Sequence, residues 1–316
     1  MKLHELTPNA ERERGVKSLL PIASLALSGC LWGTGFLFGK IALRETTVSE
    51  NVAFRFLCGS IVLLPGLLWK GIRLRGKDLW LLVLASVIGV PLQFLVQFAG
   101  LRLTTVSHAS LIVGTLPMLL ALSSALSLHE RLNVVESGAL LGSGFGALLI
   151  ALSKTNVITG PQPTSRGDLL VFVSMLAAVV SILITKRLME KYDSLQITAS
   201  MIVLGTIFLV LWVMLSQPWR FPFSPETWTA LAAQGLFATA GAYLLWNWGL
   251  ARVPASRAGV FLNLEPLTGA LLGVFVLHET LGITAILGGA MIIGSAVYFS
   301  WPPKAGQLPD SHHSPL

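Results

Sequence analysis

The chain is poor in charge and in cysteine. Only 12% of its 316 residues are Asp, Glu, Lys or Arg, which is roughly half the share of a soluble globular domain. The two cysteines, Cys30 and Cys58, both lie in apolar runs, so they suggest neither a disulfide framework nor a metal-ligand spacing. These shortages argue against a disulfide-stapled secreted domain and against a soluble globular fold with one large core.

Motifs for nucleotides, metals and catalysis are also missing. Gly39-Lys40 is followed by Ile41 instead of Ser or Thr, so it is no Walker A motif, and the His-Glu pairs at 129–130 and 278–279 lack the second histidine of a zinc site. No Ser, His or Asp pair falls at matching depth in the apolar segments. We therefore predict no catalytic residues, no metal site and no cofactor.

Most of the chain consists of long apolar runs. Hydrophobic residues make up 53% of the chain and mean hydropathy is +0.74, values typical of a polytopic membrane protein. A membrane-crossing helix needs about 20 apolar residues. The sequence predicts an all-α membrane protein with ten transmembrane helices, at 19–42, 51–69, 79–101, 104–128, 134–153, 168–189, 194–216, 228–250, 254–277 and 282–301.

Lys and Arg set the predicted orientation. With the N-terminus inside, the inside segments hold fifteen Lys and Arg and the outside loops hold five, so both termini are predicted to be cytoplasmic. Residues 1–18 are then a cytoplasmic segment and 302–316 a disordered cytoplasmic tail. The same bias explains the net charge of +7 without any affinity for nucleic acid.

The two halves of the chain resemble each other. At an offset of 149, Pro117 and the following Leu128-His129-Glu130 match Pro266 and Leu277-His278-Glu279; nearer the start of each half the best offset is 146. We predict two five-helix repeats, at 19–153 and 168–301. Because five is odd, the second repeat must enter the membrane from the opposite side, which makes it inverted.

These patterns resemble the EamA branch of the drug/metabolite transporter superfamily. The resemblance covers nearly the whole chain and is carried by Leu31-Trp32-Gly33, Lys40, Phe54-Arg55-Phe56, Gly100-Leu101, Ser107 to Ser110, Pro117, His129-Glu130, Gly249-Leu250, Ala255 to Ala258, Leu264-Glu265-Pro266 and His278-Glu279. It implies ten helices, a central cavity between the repeats, and export of small metabolites or amino acids by alternating access. Together with the size of the chain, it places the protein in a bacterial inner membrane. Ten spans suffice for a monomer with its own pathway.

Glu265 is the leading candidate site residue. It lies deep in the ninth predicted span, where a carboxylate is costly and needs a partner, a proton or a water-filled cavity. It could bind a substrate ammonium or carry a proton, or it could be a structural group beside the Pro266 kink. Asn263, two residues earlier, is assigned to the same cavity.

Aromatic stripes supply a second set of candidates. Tyr243, Trp246 and Asn247 share one helical face in the eighth span, and Trp32 and Phe36 share one in the first. Such a face suits an amphipathic ligand. An interfacial aromatic belt is the alternative for the eighth span.

Three further polar residues have two explanations each. Gln93 and Gln97 share a face of the third span, where a cavity or an interhelical hydrogen bond could satisfy the two amides. Arg55 could hold a substrate carboxylate, but an ion pair with Glu45 or Glu50 at the outer surface is the interpretation that we favour from the sequence.

Prolines mark two of the predicted spans. Pro117 and Pro266 each remove a backbone hydrogen bond, so both are predicted to kink their helices. The freed carbonyls could face a cavity, although helix architecture alone explains the prolines equally well.

The function predicted from the sequence is a secondary carrier for amino acids or related compounds. Its expected partners are a small-molecule substrate and the lipid bilayer. Proton-coupled efflux of lipophilic cations and passive facilitation are the alternatives, and an intramembrane enzyme is disfavoured because no paired catalytic groups are found.

Overall fold

The computed structural model describes residues 8–71, 74–128, 134–152, 163–216, 219, 222–252 and 261–300. The predicted tail at 302–316 lies outside these residues. The predicted N-terminal segment 1–18 is partly described, and the first helix already begins at Pro8. The regular elements are α-helices and two short π-helical segments.

Every predicted span overlaps at least one helix, and three of the predicted spans are divided. The helices run α1 Pro8–Ala42, α2 Val48–Lys70, α3 Lys77–Val87, α4 Gln93–Arg102, α5 Val106–Val113, α6 Leu116–Leu128, α7 Val134–Ala151, α8 Ser165–Met189, α9 Ser194–Ser216, α10 Pro225–Gly235, α11 Ala242–Leu250, α12 Leu264–Leu277 and α13 Ile283–Ser300. The π-helical segments are Ile88–Leu92, between α3 and α4, and Leu236–Gly241, between α10 and α11.

Five helical stretches in the described residues are long and apolar enough to cross a membrane. They are Leu19–Ala42, Val48–Trp69, Lys77–Arg102, Ser165–Met189 and Ser194–Ser216, and the other apolar helices are shorter. Large apolar side chains also cover the outside of the molecule, with Trp69 82% and Leu215 88% exposed. Exposed apolar surface on this scale belongs in lipid, so the chain is an all-helical membrane protein.

Helix irregularities fall at repeat-related positions. An offset of 149 carries the π-helical segment 88–92 onto 237–241, which lies within the second one. The same offset carries Gly114, where α5 gives way to α6, onto Asn263, where α12 begins. Local π-helix frequently marks functional sites, and here it recurs in both halves of the chain.

The two prolines that are predicted to kink their helices lie next to helix interruptions. Pro117 is the second residue of α6 and Pro266 is the third residue of α12. Proline is well tolerated in the first turn of a helix, because the N–H that it lacks would have no partner there. Each proline lies shortly after an interruption of its span, at 114–115 and at Asn263, and the kinks themselves stay predictions.

Helix packing has the symmetry expected of two related repeats. Helix α1 packs against α11 and α12, and its repeat mate α8 packs against α4 and α5; α2 pairs with α9, α5 with α12 and α7 with α13. Exchanging the repeats returns the same set of neighbours. The space between the repeats is therefore lined by equivalent helices from both.

Small residues bring α1 close to α12. A Cβ added at Gly33 would lie 2.8 Å from the carbonyl oxygen of Glu265, and one at Gly29 would collide with the carbonyl of Phe261. These contacts show that Gly29 and Gly33 allow α1 to pack closely against α12. They also place the first turn of α12, with Glu265, directly against α1.

Candidate functional site

A cavity of about 910 Å³, mouth included, lies between the two halves of the chain. Its wall contains repeat-related pairs of residues: Phe94 with Tyr243, Gln97 with Trp246, Phe98 with Asn247, Leu116 with Glu265 and Arg55 with Met201. The cavity is therefore symmetric in position and asymmetric in chemistry. In each of the last two pairs, one member carries a charge and the other is apolar.

Nine of the predicted site residues line this cavity. They are Trp32, Phe36, Arg55, Gln93, Gln97, Tyr243, Trp246, Asn247 and Glu265. Asn263 is the exception: it is 6% exposed, directly precedes α12 and is not among the residues that line the described cavity. Its assignment to the cavity stays a prediction.

Glu265 lies in the first turn of α12 and is partly buried in the cavity wall. No hydrogen bond or ion pair joins its carboxylate to another described residue. The positive end of the helix dipole favours a carboxylate at this position. A carboxylate that faces a cavity and makes no hydrogen bond or ion pair with the protein is available to a ligand or a proton.

Arg55 is the second charged group of the cavity, and its side chain is 3% exposed. Its Nε donates to Thr239 Oγ1 at 2.8 Å and its Nη2 donates to the carbonyl of Ala238 at 3.0 Å. Both acceptors belong to the second π-helical segment. The side chain therefore ties α2 of one repeat to the irregular helix of the other.

The predicted ion pair of Arg55 with Glu45 or Glu50 is wrong. Glu45 accepts a hydrogen bond from Ser224 N at 2.8 Å, which lowers the pKa of that exposed carboxyl. Glu50 accepts from the backbone and hydroxyl of Thr47 in a capping box at the start of α2. Both carboxylates are engaged in local contacts, and neither reaches Arg55 within 4 Å.

Three aromatic rings form one wall. The Trp32 ring lies 5.3 Å from that of Tyr243 and 5.4 Å from that of Trp246, measured between centroids. All three rings line the cavity. This position favours the cavity interpretation of the eighth span over a belt of aromatic residues at the membrane interface. Asn247, on the same face, donates to Thr198 Oγ1, so its amide is partly used by the protein.

The two glutamines also lie in the wall, with Gln93 9% and Gln97 4% exposed. The Oε1 atom of Gln97 is buried and accepts no hydrogen bond from the described residues. A buried polar atom without a partner is costly. Such an atom in a cavity wall is suited to receive a donor from a ligand or from water.

Polar groups that the sequence did not single out close one end of the molecule. Glu279, just after α12, accepts from Val106 N and Ser107 N, both at 2.8 Å, and from Ser107 Oγ at 2.7 Å. Asp168 in α8 lies 3.3 Å from His108 Nδ1 and accepts from Thr104 Oγ1. These contacts hold the turn between α4 and α5 of the first half against the second half.

Lys40 belongs to the same end. Its Nζ donates to the carbonyls of Leu101 and Thr104, so it caps the C-terminus of α4. The repeated His-Glu pair was the available signal for this region: Glu279 does lie at a helix end, while 129–130 fall outside the described residues.

No group of three or more His, Cys, Asp and Glu side chains within the described part of the chain could hold a metal ion. The chemistry of the cavity is therefore that of one carboxylate, one guanidinium, several amides and several aromatic rings. This set can bind a small polar or charged organic molecule.

Comparison with known proteins agrees with this picture. Residues 19–152 and 165–301 each match the EamA-like transporter family. An uncharacterized transporter of Archaeoglobus fulgidus is 30% identical over 87% of this chain and 95% of its own. The biotin transporter of Escherichia coli is 26% identical, over 92% of this chain and 97% of its own. One crystal structure superposes with a TM-score of 0.62 at 20% identity, over 89% of this chain and 95% of the other, which supports the fold.

The two family matches cover the two halves in which the cavity-lining helices lie, and the gap between them falls between α7 and α8. Family, fold and cavity thus converge on one conclusion: the chain belongs to the EamA-like transporter family of the drug/metabolite transporter superfamily.

Proposed function

We propose that the protein is a secondary carrier that exports amino acids or related small metabolites through the cavity between its halves. The observation that carries this proposal is Glu265, a carboxylate in the cavity wall that makes no hydrogen bond and no ion pair within 4 Å with the described residues. A substrate ammonium group would provide the missing partner. Biotin, which is named for relatives from Salmonella and Escherichia coli, belongs in any substrate panel.

The proposal includes ten transmembrane helices in two inverted repeats of 19–153 and 168–301, with both termini in the cytoplasm of a bacterial cell and the chain in its inner membrane. The exchange symmetry of helix packing and the repeat-related irregularities support it. A monomer suffices, because one chain encloses the whole cavity.

Alternating access is the proposed mechanism. The cavity reaches Met189 and Leu250 at the ends of α8 and α11, which the orientation rule puts on the cytoplasmic side. The opposite end is closed by the contacts of Asp168 and Glu279 with the other half. This arrangement corresponds to an inward-facing carrier whose outer gate is shut.

Counterflow in proteoliposomes tests the proposal. Vesicles are loaded with an unlabelled panel of amino acids plus biotin, and uptake of a labelled member is followed. Wild type should show saturable exchange and Glu265→Gln should lose it. Glu226→Gln, the matched control, should behave as wild type, because Glu226 lies at the surface with 68% of its side chain exposed. A passive channel would give neither saturation nor counterflow.

Efflux of lipophilic cations coupled to protons is a second candidate. It is favoured by the rings of Trp32, Tyr243 and Trp246, which share the cavity with Glu265. Aromatic faces attract cations, and an adjacent carboxylate completes such a site. A pH gradient would then drive tetraphenylphosphonium transport in wild type but not in Glu265→Gln, and amino acids would give no exchange.

A further inference from the structure

Arg55 is a buried cation without an anion in direct contact. Its side chain is 3% exposed in the cavity wall, and no carboxylate of the described residues comes within 4 Å of it. Removing a charge from water is expensive unless a counter-charge or several hydrogen bonds compensate for it. Within the described residues Arg55 has two hydrogen bonds and no ion pair within 4 Å, and the charge of Glu265 in the same cavity wall acts on it only from beyond that distance. Compensation by direct contact is therefore incomplete.

The remaining donors of Arg55 are held in place. A guanidinium has five N–H groups in a fixed planar fork. One on Nε and one on Nη2 are fixed by Thr239 and Ala238. No described residue accepts a hydrogen bond from Nη1, so its two N–H groups and the second N–H of Nη2 are left as preorganised donors for a group that enters the cavity.

Aromatic rings surround the guanidinium but cannot neutralise it. Its central carbon lies 4.5 Å from the ring centroid of Phe94, 5.3 Å from that of Phe56 and 5.6 Å from that of Phe98. Such contacts stabilise a cation modestly. Because Phe94 and Phe98 also line the cavity, the free donors lie beside an apolar collar.

The fold does not require a charge at this position. Met201 occupies the repeat-related place in α9, also lines the cavity and is 4% exposed. Its sulfur lies 3.8 Å from Ser181 Oγ, so a thioether meets the same packing need in the other half. The guanidinium is therefore an addition to a site that packs without it.

From these observations we infer that Arg55 is an anion subsite that takes the carboxylate of an organic acid or amino acid with an apolar body. The inference rests on the proposed function in one respect, since it assumes that substrate enters this cavity. With Glu265 in the same wall, an amino acid would engage both charges through its two ends. A simple carboxylate would engage Arg55 alone.

Ligand pairs that differ only in the acid group test this subsite without transport. Purified protein is heated in detergent with 3-phenylpropionate or 3-phenylpropanamide, and with L-phenylalanine or its amide. In wild type the acids should raise the melting temperature at concentrations roughly tenfold or more below the amides, because charge-assisted hydrogen bonds are lost with the acid group. Equal potency of acid and amide on wild type overturns the inference.

Two variants test whether Arg55 causes the preference for acids over amides. Arg55→Gln should abolish this preference. Arg55→Lys should retain part of it, because the charge stays while the planar fork is lost. Arg44→Gln is the matched control, since Arg44 is 63% exposed and pairs with Glu226 at the surface. Full acid preference in both Arg55 variants overturns the inference. If Arg55→Gln fails to fold, a reduced preference in Arg55→Lys supports it and an unchanged one overturns it.

Failure of the subsite and failure of the proposed function give different results. If acid binding depends on Arg55 but no amino acid is exchanged, amino-acid export is rejected and the anion subsite is retained. If amino-acid exchange is lost in Glu265→Gln but L-phenylalanine and its amide inhibit it equally in wild type, export is retained and the subsite is rejected.

Discussion

Glu279 offers the sharpest test of how the closed end of the molecule is held. Its carboxylate is 5% exposed and accepts three hydrogen bonds at the start of α5. In Glu279→Gln the new amide group has no lone pair for one of the two backbone N–H donors. That donor is left buried without a partner, and the other two bonds lose charge assistance.

The expected cost follows from these bonds. An orphaned buried donor costs about 1–3 kcal/mol, and each bond that becomes neutral loses about 1 kcal/mol, so the sum is roughly 3–5 kcal/mol. At roughly 2 °C per kcal/mol for a chain of this size, the melting temperature should fall by about 6–10 °C. The assay is thermal unfolding of purified protein in detergent, followed by intrinsic tryptophan fluorescence.

Glu226→Gln provides the control for this experiment. It makes the same chemical change in a surface ion pair with Arg44, 3.6 Å long and 68% exposed on the glutamate side. Exposed pairs contribute about 0–1 kcal/mol, so the melting temperature should hardly move. If Glu279→Gln is no less stable than Glu226→Gln, the described hydrogen bonds do not hold this end of the molecule, and the reasoning is refuted.

Two further predictions concern packing. Gly146→Ala should lower the melting temperature measurably, because the added Cβ would lie 2.6 Å from the carbonyl oxygen of Gly288. Gly144→Ala in the same helix is the control: its Cβ meets nothing within 4 Å, so it should be neutral or slightly stabilising. Equal effects of the two variants would contradict the close approach of α7 and α13. Trp32→Ala should raise the half-saturating substrate concentration in counterflow, because the ring packs 5.3 Å from that of Tyr243 in the cavity wall; unchanged saturation would remove Trp32 from the binding surface.

Most of the candidate site could be predicted from the sequence. Glu265 and Arg55 are charged residues in apolar runs, and Tyr243, Trp246 and Asn247 recur at helical spacing, so local sequence was enough to mark them. Asn263, which the sequence assigned to the same cavity, directly precedes α12 and is absent from the lining residues of the described cavity.

The partners of charged groups could not be predicted. The sequence alone favoured an ion pair between Arg55 and the nearby Glu45 or Glu50, but the real acceptors, Thr239 and Ala238, lie more than 180 positions away. Glu279 likewise accepts hydrogen bonds from backbone N–H groups at the start of α5, which lie 172 and 173 positions away in the sequence. Contacts over such separations depend on how helices from the two halves pack.

The sequence by itself therefore determined the class of protein, the positions of the helices and the existence of two related halves. Those properties depend on hydropathy and on internal similarity, which are written along the chain. Tertiary structure alone decided which side chains face the cavity, where the spans break and which charges lack partners. These properties depend on the rotation of each helix about its axis and on its neighbours, and packing between the two halves sets both.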